Sequence, residues 1–229
     1  MGAIVVVGGT AGIGLELARH YADAGREVVL TGRDIDRAKA AADEVGGATT
    51  GLAFDLSEPE GIGAALVDVG PVDGLVLAAV ERDANAVADF DIGGARHLVT
   101  LKLVGYATVV NVLRERLAAD GAVLMFGGQA RIRPYPGSTT VSTVNAGVDG
   151  MVRTLAIELA PVRVNSIHPG IVGDSPFWKD KPAPVLDAFT AGTLTGKLAS
   201  MADVVSAAVL LLENRAINDV NLVVDGGWR

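Results

Sequence analysis

Cysteine is absent from the 229-residue chain, so disulfides and thiolate metal centres are excluded. The three histidines, His20, His97 and His168, are too scattered to suggest a metal cluster. Aromatic residues make up only 4% of the chain, and cations are in deficit: 19 Lys and Arg against 27 Asp and Glu give a net charge of −8. That deficit argues against nucleic acid and against an anionic membrane, both of which need clustered basic side chains. No apolar run reaches the roughly 18 residues of a membrane span. The run Leu103 to Leu113 is bounded by Lys102 and Arg114. Strand-like residues begin at Ala3 with no basic stretch, apolar signal core or cleavage site before them, which points to a mature cytoplasmic chain. Small-molecule partners are what the composition leaves.

Apolar residues are abundant, at 50% of the chain. They gather in short continuous runs at Ala3 to Val7, Val28 to Thr31, Gly74 to Ala79, Ala122 to Phe126, Val162 to Ile167 and Asn221 to Val224, with a weaker run at Thr49 to Phe54. Continuous rather than alternating apolarity is expected of parallel strands covered on both faces. Helical periods lie between them. Ile13, Leu17 and Tyr21 repeat every fourth residue ahead of a stop at Gly25, and Val141 to Leu159 recurs at three and four before Pro161. A further period covers Ala202 to Leu212. The pattern predicts one α/β domain over residues 1–229: a doubly wound, Rossmann-type seven-stranded parallel sheet with helices on both faces. Some 30 residues after the sixth strand, rich in proline, break the rhythm. Residues 174–198 are expected to form a lid loop, with Phe177, Trp178 and Phe189 either lining its inner face or pinning it to the core.

The first strand runs straight into Gly8-Gly9-Thr10-Ala11-Gly12-Ile13-Gly14 and then a helix. Glycines let backbone approach a pyrophosphate, and a helix amino end offers free N–H groups and a positive dipole. This is anion-binding architecture.

The spacing Gly8, Gly12, Gly14 resembles the turn of the short-chain dehydrogenase/reductase family, with Val7 where that family usually has Thr. Asp55-Leu56, the segment Arg163 to Gly170, and Val223-Val224-Asp225-Gly226-Gly227 extend the likeness over the chain. The resemblance implies that Gly8, Thr10, Gly12, Ile13 and Gly14 cradle a dinucleotide. It also implies that Asp55 and Leu56 hold its adenine, that Ala78 and Ala79 contact it from the fourth strand, and that Pro169 and Gly170 flank its nicotinamide. Ser175 would meet the carboxamide. His168 reads as a packing residue. The second strand ends in Gly32 where an NAD-selective site places a carboxylate, and Arg33 follows. An Arg fork suits a 2′-phosphate, so NADP(H) is expected over NAD(H); a stacking or solvent-facing Arg33 is the plainer reading.

The family's reaction centre is an Asn, Ser, Tyr and Lys tetrad. In this chain those positions align with Lys102, Gly128, Val141 and Asn145. The cation and the amide are thus exchanged between two neighbouring positions. Lys102 is expected either to reach the nicotinamide ribose or substrate oxygen, with Asn145 on a ribose hydroxyl, or to lie on the exposed side of an amphipathic helix. Tyr135 is a replacement proton donor or simply a loop tyrosine, and Ser138, Thr139 and Ser142 are nearby hydroxyls or helix caps. The expected activity is an NADP(H)-dependent oxidoreductase acting on a carbonyl, alcohol or other polarised double bond. The alternatives are a coenzyme-binding sensor or assembly protein without turnover, and a reaction without net redox. The resemblance also implies a homodimer or homotetramer.

Overall fold

Strand β1 (Ala3–Val7) reads Ala-Ile-Val-Val-Val and is buried along its whole length, so both of its faces must be covered. The computed structural model, which describes residues 1–229, shows how. β1 lies between β2 (Val28–Gly32) and β4 (Val72–Leu77); β3 (Thr49–Ala53), β5 (Leu117–Phe126), β6 (Arg163–Pro169) and β7 (Asn221–Val224) complete the sheet. The order is β3-β2-β1-β4-β5-β6-β7, and every pairing is parallel.

The helices are α1 (Gly12–Asp23), α2 (Ile35–Val45), the short α3 (Ile62–Ala65), α4 (Ile92–Val99), α5 (Tyr106–Leu113), α6 (Thr139–Glu158), α7 (Ala183–Ala191) and α8 (Met201–Glu213). A π turn, Thr100–Gly105, joins α4 to α5. Val5 and Val7 pack with Leu101, Tyr106, Val109, Val148 and Val152 on one face of the sheet. Ile4 and Val6 pack with Leu17, Ala38, Val204 and Ala208 on the other. Neighbouring residues of one strand therefore feed two cores, which is why the apolar runs are continuous. No helix is long and apolar enough to cross a membrane.

The architecture agrees with the pattern in the sequence; the edges differ. β5 starts at Leu117, well before the expected Ala122, because Leu117 already pairs with Val72 of β4. The segment 174–198 is not loop throughout: Pro184 stands in the first turn of α7, where its missing N–H costs nothing. Ser138 precedes α6 but its side chain makes no cap bond to the helix. Its Oγ instead accepts hydrogen bonds from the Tyr135 N–H at 2.9 Å and the Ser142 hydroxyl at 2.8 Å.

Candidate functional site

Sheet order reverses at β1, since its chain neighbour β2 lies to one side and β4 to the other. A crevice at such a switch point, beyond the carboxyl ends of the strands, is where doubly wound sheets bind ligands. A cleft of about 560 Å³ opens there. Its floor is the β1–α1 turn, including Gly8, Thr10, Gly12, Ile13 and Gly14. The turn is packed so closely that a Cβ on Gly8 would lie 2.6 Å from the Ala79 nitrogen, and one on Gly14 would lie 2.3 Å from the Gly8 carbonyl oxygen. Gly8 and Gly12 also hold φ of +83° and +55°, the left-handed region that glycine alone adopts freely. Helix α1 has no side-chain cap and no acidic residue in its first turn. Its leading N–H groups and dipole are thus left to whatever anion enters. The cradle fits a dinucleotide pyrophosphate.

The other expected coenzyme residues line the same cleft: Arg33, Asp55, Leu56, Ala78, Ala79, Pro169, Gly170 and Ser175. Burial alone would raise the Asp55 carboxyl, but hydrogen bonds from the Ser57 hydroxyl and N–H outweigh it and hold the group below the usual range. The Ser175 hydroxyl donates to the Val172 carbonyl oxygen at 2.8 Å. Gly32 brings no carboxylate to the end of β2, and the Thr10 methyl packs over it, 2.7 Å from where a Cβ would stand. Arg33 faces solvent over much of its side chain but is paired. Its Nη1 donates to Glu81 Oε1 at 2.5 Å, and Glu81 Oε2 lies 2.6 Å from His97 Nε2.

The residues aligned with the reaction centre lie off the wall of this cleft, which ends at Phe126 and Gly127 on that side. Gly128 and Asn145 do meet: a Cβ on Gly128 would come within 2.8 Å of the Asn145 amide nitrogen. Val141 is half-buried one helical turn before Asn145. Lys102 is 2% exposed, which removes the surface-helix reading. Its ammonium has no hydrogen-bond partner, and burial pulls its pKa down to about 7. It sits in the π turn, behind cleft-lining Leu101, 5.1 Å from the Tyr106 ring centre. Tyr135 is 54% exposed and outside the cleft wall.

His168 is fully buried and does more than pack. Its Nδ1 accepts the Gly128 N–H at 3.1 Å, which places the ring proton on Nε2, facing Ser166 Oγ at 2.8 Å and Asp149 Oδ1 at 3.2 Å. Burial, reinforced by the Arg131 charge, holds its pKa below the ordinary imidazole value. Gly127 exists to admit this ring, since a Cβ there would lie 2.3 Å from it.

Segment 174–198 reaches the cleft wall at Ser175, Pro176, Phe177 and Trp178, and an aromatic row runs from Phe177 and Trp178 through Phe189 to Trp228, with neighbouring ring centres 5.1 to 6.1 Å apart. Arg82 lies 3.5 Å from the Phe177 ring centre and Arg133 5.4 Å from that of Trp228, so the loops after β4 and β5 both clasp the row. Arg37, Glu81 and Arg82 on the cleft wall were not expected from sequence. Their one signal is that charged residues follow closely on the carboxyl ends of β2 and β4.

A protein-family model described as enoyl-(acyl carrier protein) reductase matches residues 8–229. Carbonyl reductase family member 4 of Danio rerio is 29% identical, over 97% of this chain and 96% of its own length. A D-xylose 1-dehydrogenase of Caulobacter vibrioides is 30% identical, over 99% and 95% respectively. A solved structure described as a short chain dehydrogenase/reductase family protein superposes with a TM-score of 0.89 at 28% identity, covering 98% of this chain and 96% of that one.

Proposed function

The chain belongs to the short-chain dehydrogenase/reductase family, and we propose that it is an NADP(H)-dependent reductase or dehydrogenase of a carbonyl, an alcohol or another polarised double bond. The observation that carries this reading is the glycine cradle beneath an uncapped helix end, with a guanidinium on the same cleft. A nicotinamide bound there supplies or accepts a hydride. Gly8, Thr10, Gly12, Ile13 and Gly14 hold the pyrophosphate through backbone N–H groups, and Arg33 takes the 2′-phosphate. Asp55 and Leu56 hold the adenine, Ala78 and Ala79 pack against the ribose side, Pro169 and Gly170 flank the nicotinamide, and Ser175 turns to its carboxamide. Residues 174–198 act as the substrate lid. The α4–α5 and α6 faces pair copies of the chain into a homodimer or homotetramer.

The family's tetrad is replaced by Lys102, Gly128, Val141 and Asn145 in this reading. Support comes from the steric match of Gly128 to Asn145 and from an amine near neutrality at position 102. Such an amine can donate a proton at working pH, and general acids contribute about 10² to 10⁴ in rate. Holding the reactants aligned contributes about 7 to 11 kcal/mol on its own, so turnover survives without the usual tyrosine. The test is NADPH oxidation over a panel of ketones, aldehydes and 3-oxoacyl thioesters, followed by nicotinamide absorbance. Lys102→Met is expected to lower turnover at least tenfold; full turnover with full coenzyme affinity would remove Lys102 from the reaction.

A coenzyme-binding sensor or assembly protein without turnover is the second reading. It is favoured by the absence of Lys102, Gly128, Val141, Asn145 and Tyr135 from the cleft wall. NADPH that binds and is never oxidised by any member of the panel decides for it.

A further inference from the structure

The cleft end walled by Arg33, Asp55 and Leu56 also holds Glu81, a carboxylate from beyond β4 in contact with Arg33. Glu81 follows β4, which flanks β1 on the side opposite β2. The Arg33–Glu81 pair therefore spans the carboxyl end of β1, above the glycine turn, and both residues line the cleft. Each Glu81 oxygen has one partner: Oε1 takes Arg33 at 2.5 Å and Oε2 faces His97 at 2.6 Å. The side chains of Arg33, His97 and Glu81 remain 64%, 42% and 28% exposed, so solvent and a ligand can reach the cluster. Ion pairs this exposed contribute little to folding. The pair can therefore rearrange around what enters the cleft at little cost to stability.

We propose that Glu81 tempers the coenzyme preference that Arg33 sets in this cleft: it opposes Arg33, accepts hydrogen bonds from the adenosine ribose hydroxyls of NAD(H), and so admits NAD(H) beside NADP(H). The proposal rests on the coenzyme reading above and refines it. A 2′-phosphate carries close to two negative charges at neutral pH. To reach the Arg33 fork it must share that guanidinium with a carboxylate already in contact, and like charges so close repel. A ribose with a free 2′-hydroxyl meets the opposite situation, since the carboxylate is an acceptor only and the hydroxyl a donor. Gly32 has no side chain to offer, and Asp34, also on the wall, caps α2 by accepting the Arg37 N–H at 2.8 Å, so Glu81 brings its acceptor from the β4 side. Arg37, also on the wall, leaves the cleft with cation to spare when Glu81 is neutralised.

The experiment is a calorimetric titration of the full chain with NADH and NADPH, for wild type, Glu81→Gln, Arg33→Ala and the double variant. Thermal melts of each variant confirm folding. Glu81→Gln removes the charge and keeps the shape; it is expected to tighten NADPH about tenfold and weaken NADH about threefold to tenfold, in line with one charge-assisted hydrogen bond on a screened surface. Arg33→Ala is expected to weaken NADPH about tenfold or more and to cancel the gain from Glu81→Gln, as non-additivity of contacting residues requires. Wild type that binds coenzyme, with a Glu81→Gln variant of unchanged NADH-to-NADPH ratio, overturns this proposal and leaves the coenzyme reading standing. Wild type that binds neither coenzyme overturns both.

Discussion

Lys102 lies four residues from Leu98 and four from Tyr106, so a helical reading alone puts it on the buried stripe; only its charge argued for the surface. Burial sets a consequence for stability. With the folded amine near 7 and a free one near 10.4, the unfolded chain binds more protons across the window between them. Wild-type stability is therefore expected to rise with pH from about 7 to about 10, by up to about 1.4 kcal/mol per pH unit from this group. Lys102→Met is expected to abolish that rise and to be the more stable protein below about pH 7. Urea midpoints of both proteins across this range check it, and parallel curves would mean the amine is not desolvated. Other residues were less legible. The acid missing at Gly32 shows in the sequence, but the Thr10 methyl packed over that position does not. Glu81 is invisible for a different reason: its partners lie 48 and 16 residues away and meet it only through the sheet order.

At the scale of elements, the strands were readable because burial on both faces writes itself as unbroken apolar runs. The amino half of β5 was not, since residues 118–121 fall in a register shift between the Leu117 and Ala122 pairings and Ala119 and Asp120 face solvent. The prolines of 174–198 were read as breakers, whereas Pro184 opens α7. Helix α8 carries a local signal that suffices by itself: the Ser200 Oγ accepts the Asp203 N–H at 3.1 Å while the Asp203 carboxylate takes the Ser200 N–H at 2.9 Å. The helix seats Val204, Ala208 and Leu211 against the sheet face opposite α6. Ser200→Ala is expected to cost about 1 kcal/mol in chemical denaturation. Coenzyme affinity is expected to stay unchanged, because neither capping residue lines the cleft. A loss of affinity would instead couple the start of α8 to segment 174–198, through the Met201 N–H bonded to Asp174 at 2.7 Å.

For the whole molecule, one cleft draws its walls from the ends of β1, β2, β4, β5 and β6 and from the turn beyond β3, so a ligand there braces most of the sheet at once. Coenzyme at about a hundred times its dissociation constant is expected to add about 2.7 kcal/mol of stability. For a chain of this length that amounts to a rise in melting temperature of about 5 to 10 °C, read by thermal scan. No shift with any pyridine dinucleotide would remove the cradle's assignment. The fold was legible because it repeats one short pattern; the cleft was legible only where backbone makes it, since glycines announce themselves and side chains from distant strands do not. The chain's two ends also stand in unequal positions. Met1 projects freely at the amino end of the central strand β1, opposite the cleft, while Trp228 joins the aromatic row and the Arg229 N–H bonds the Gly192 carbonyl oxygen at 2.8 Å. A purification tag or fluorescent fusion therefore belongs at the amino end; attached at residue 229, it would pull on the aromatic row that meets the cleft at Phe177 and Trp178.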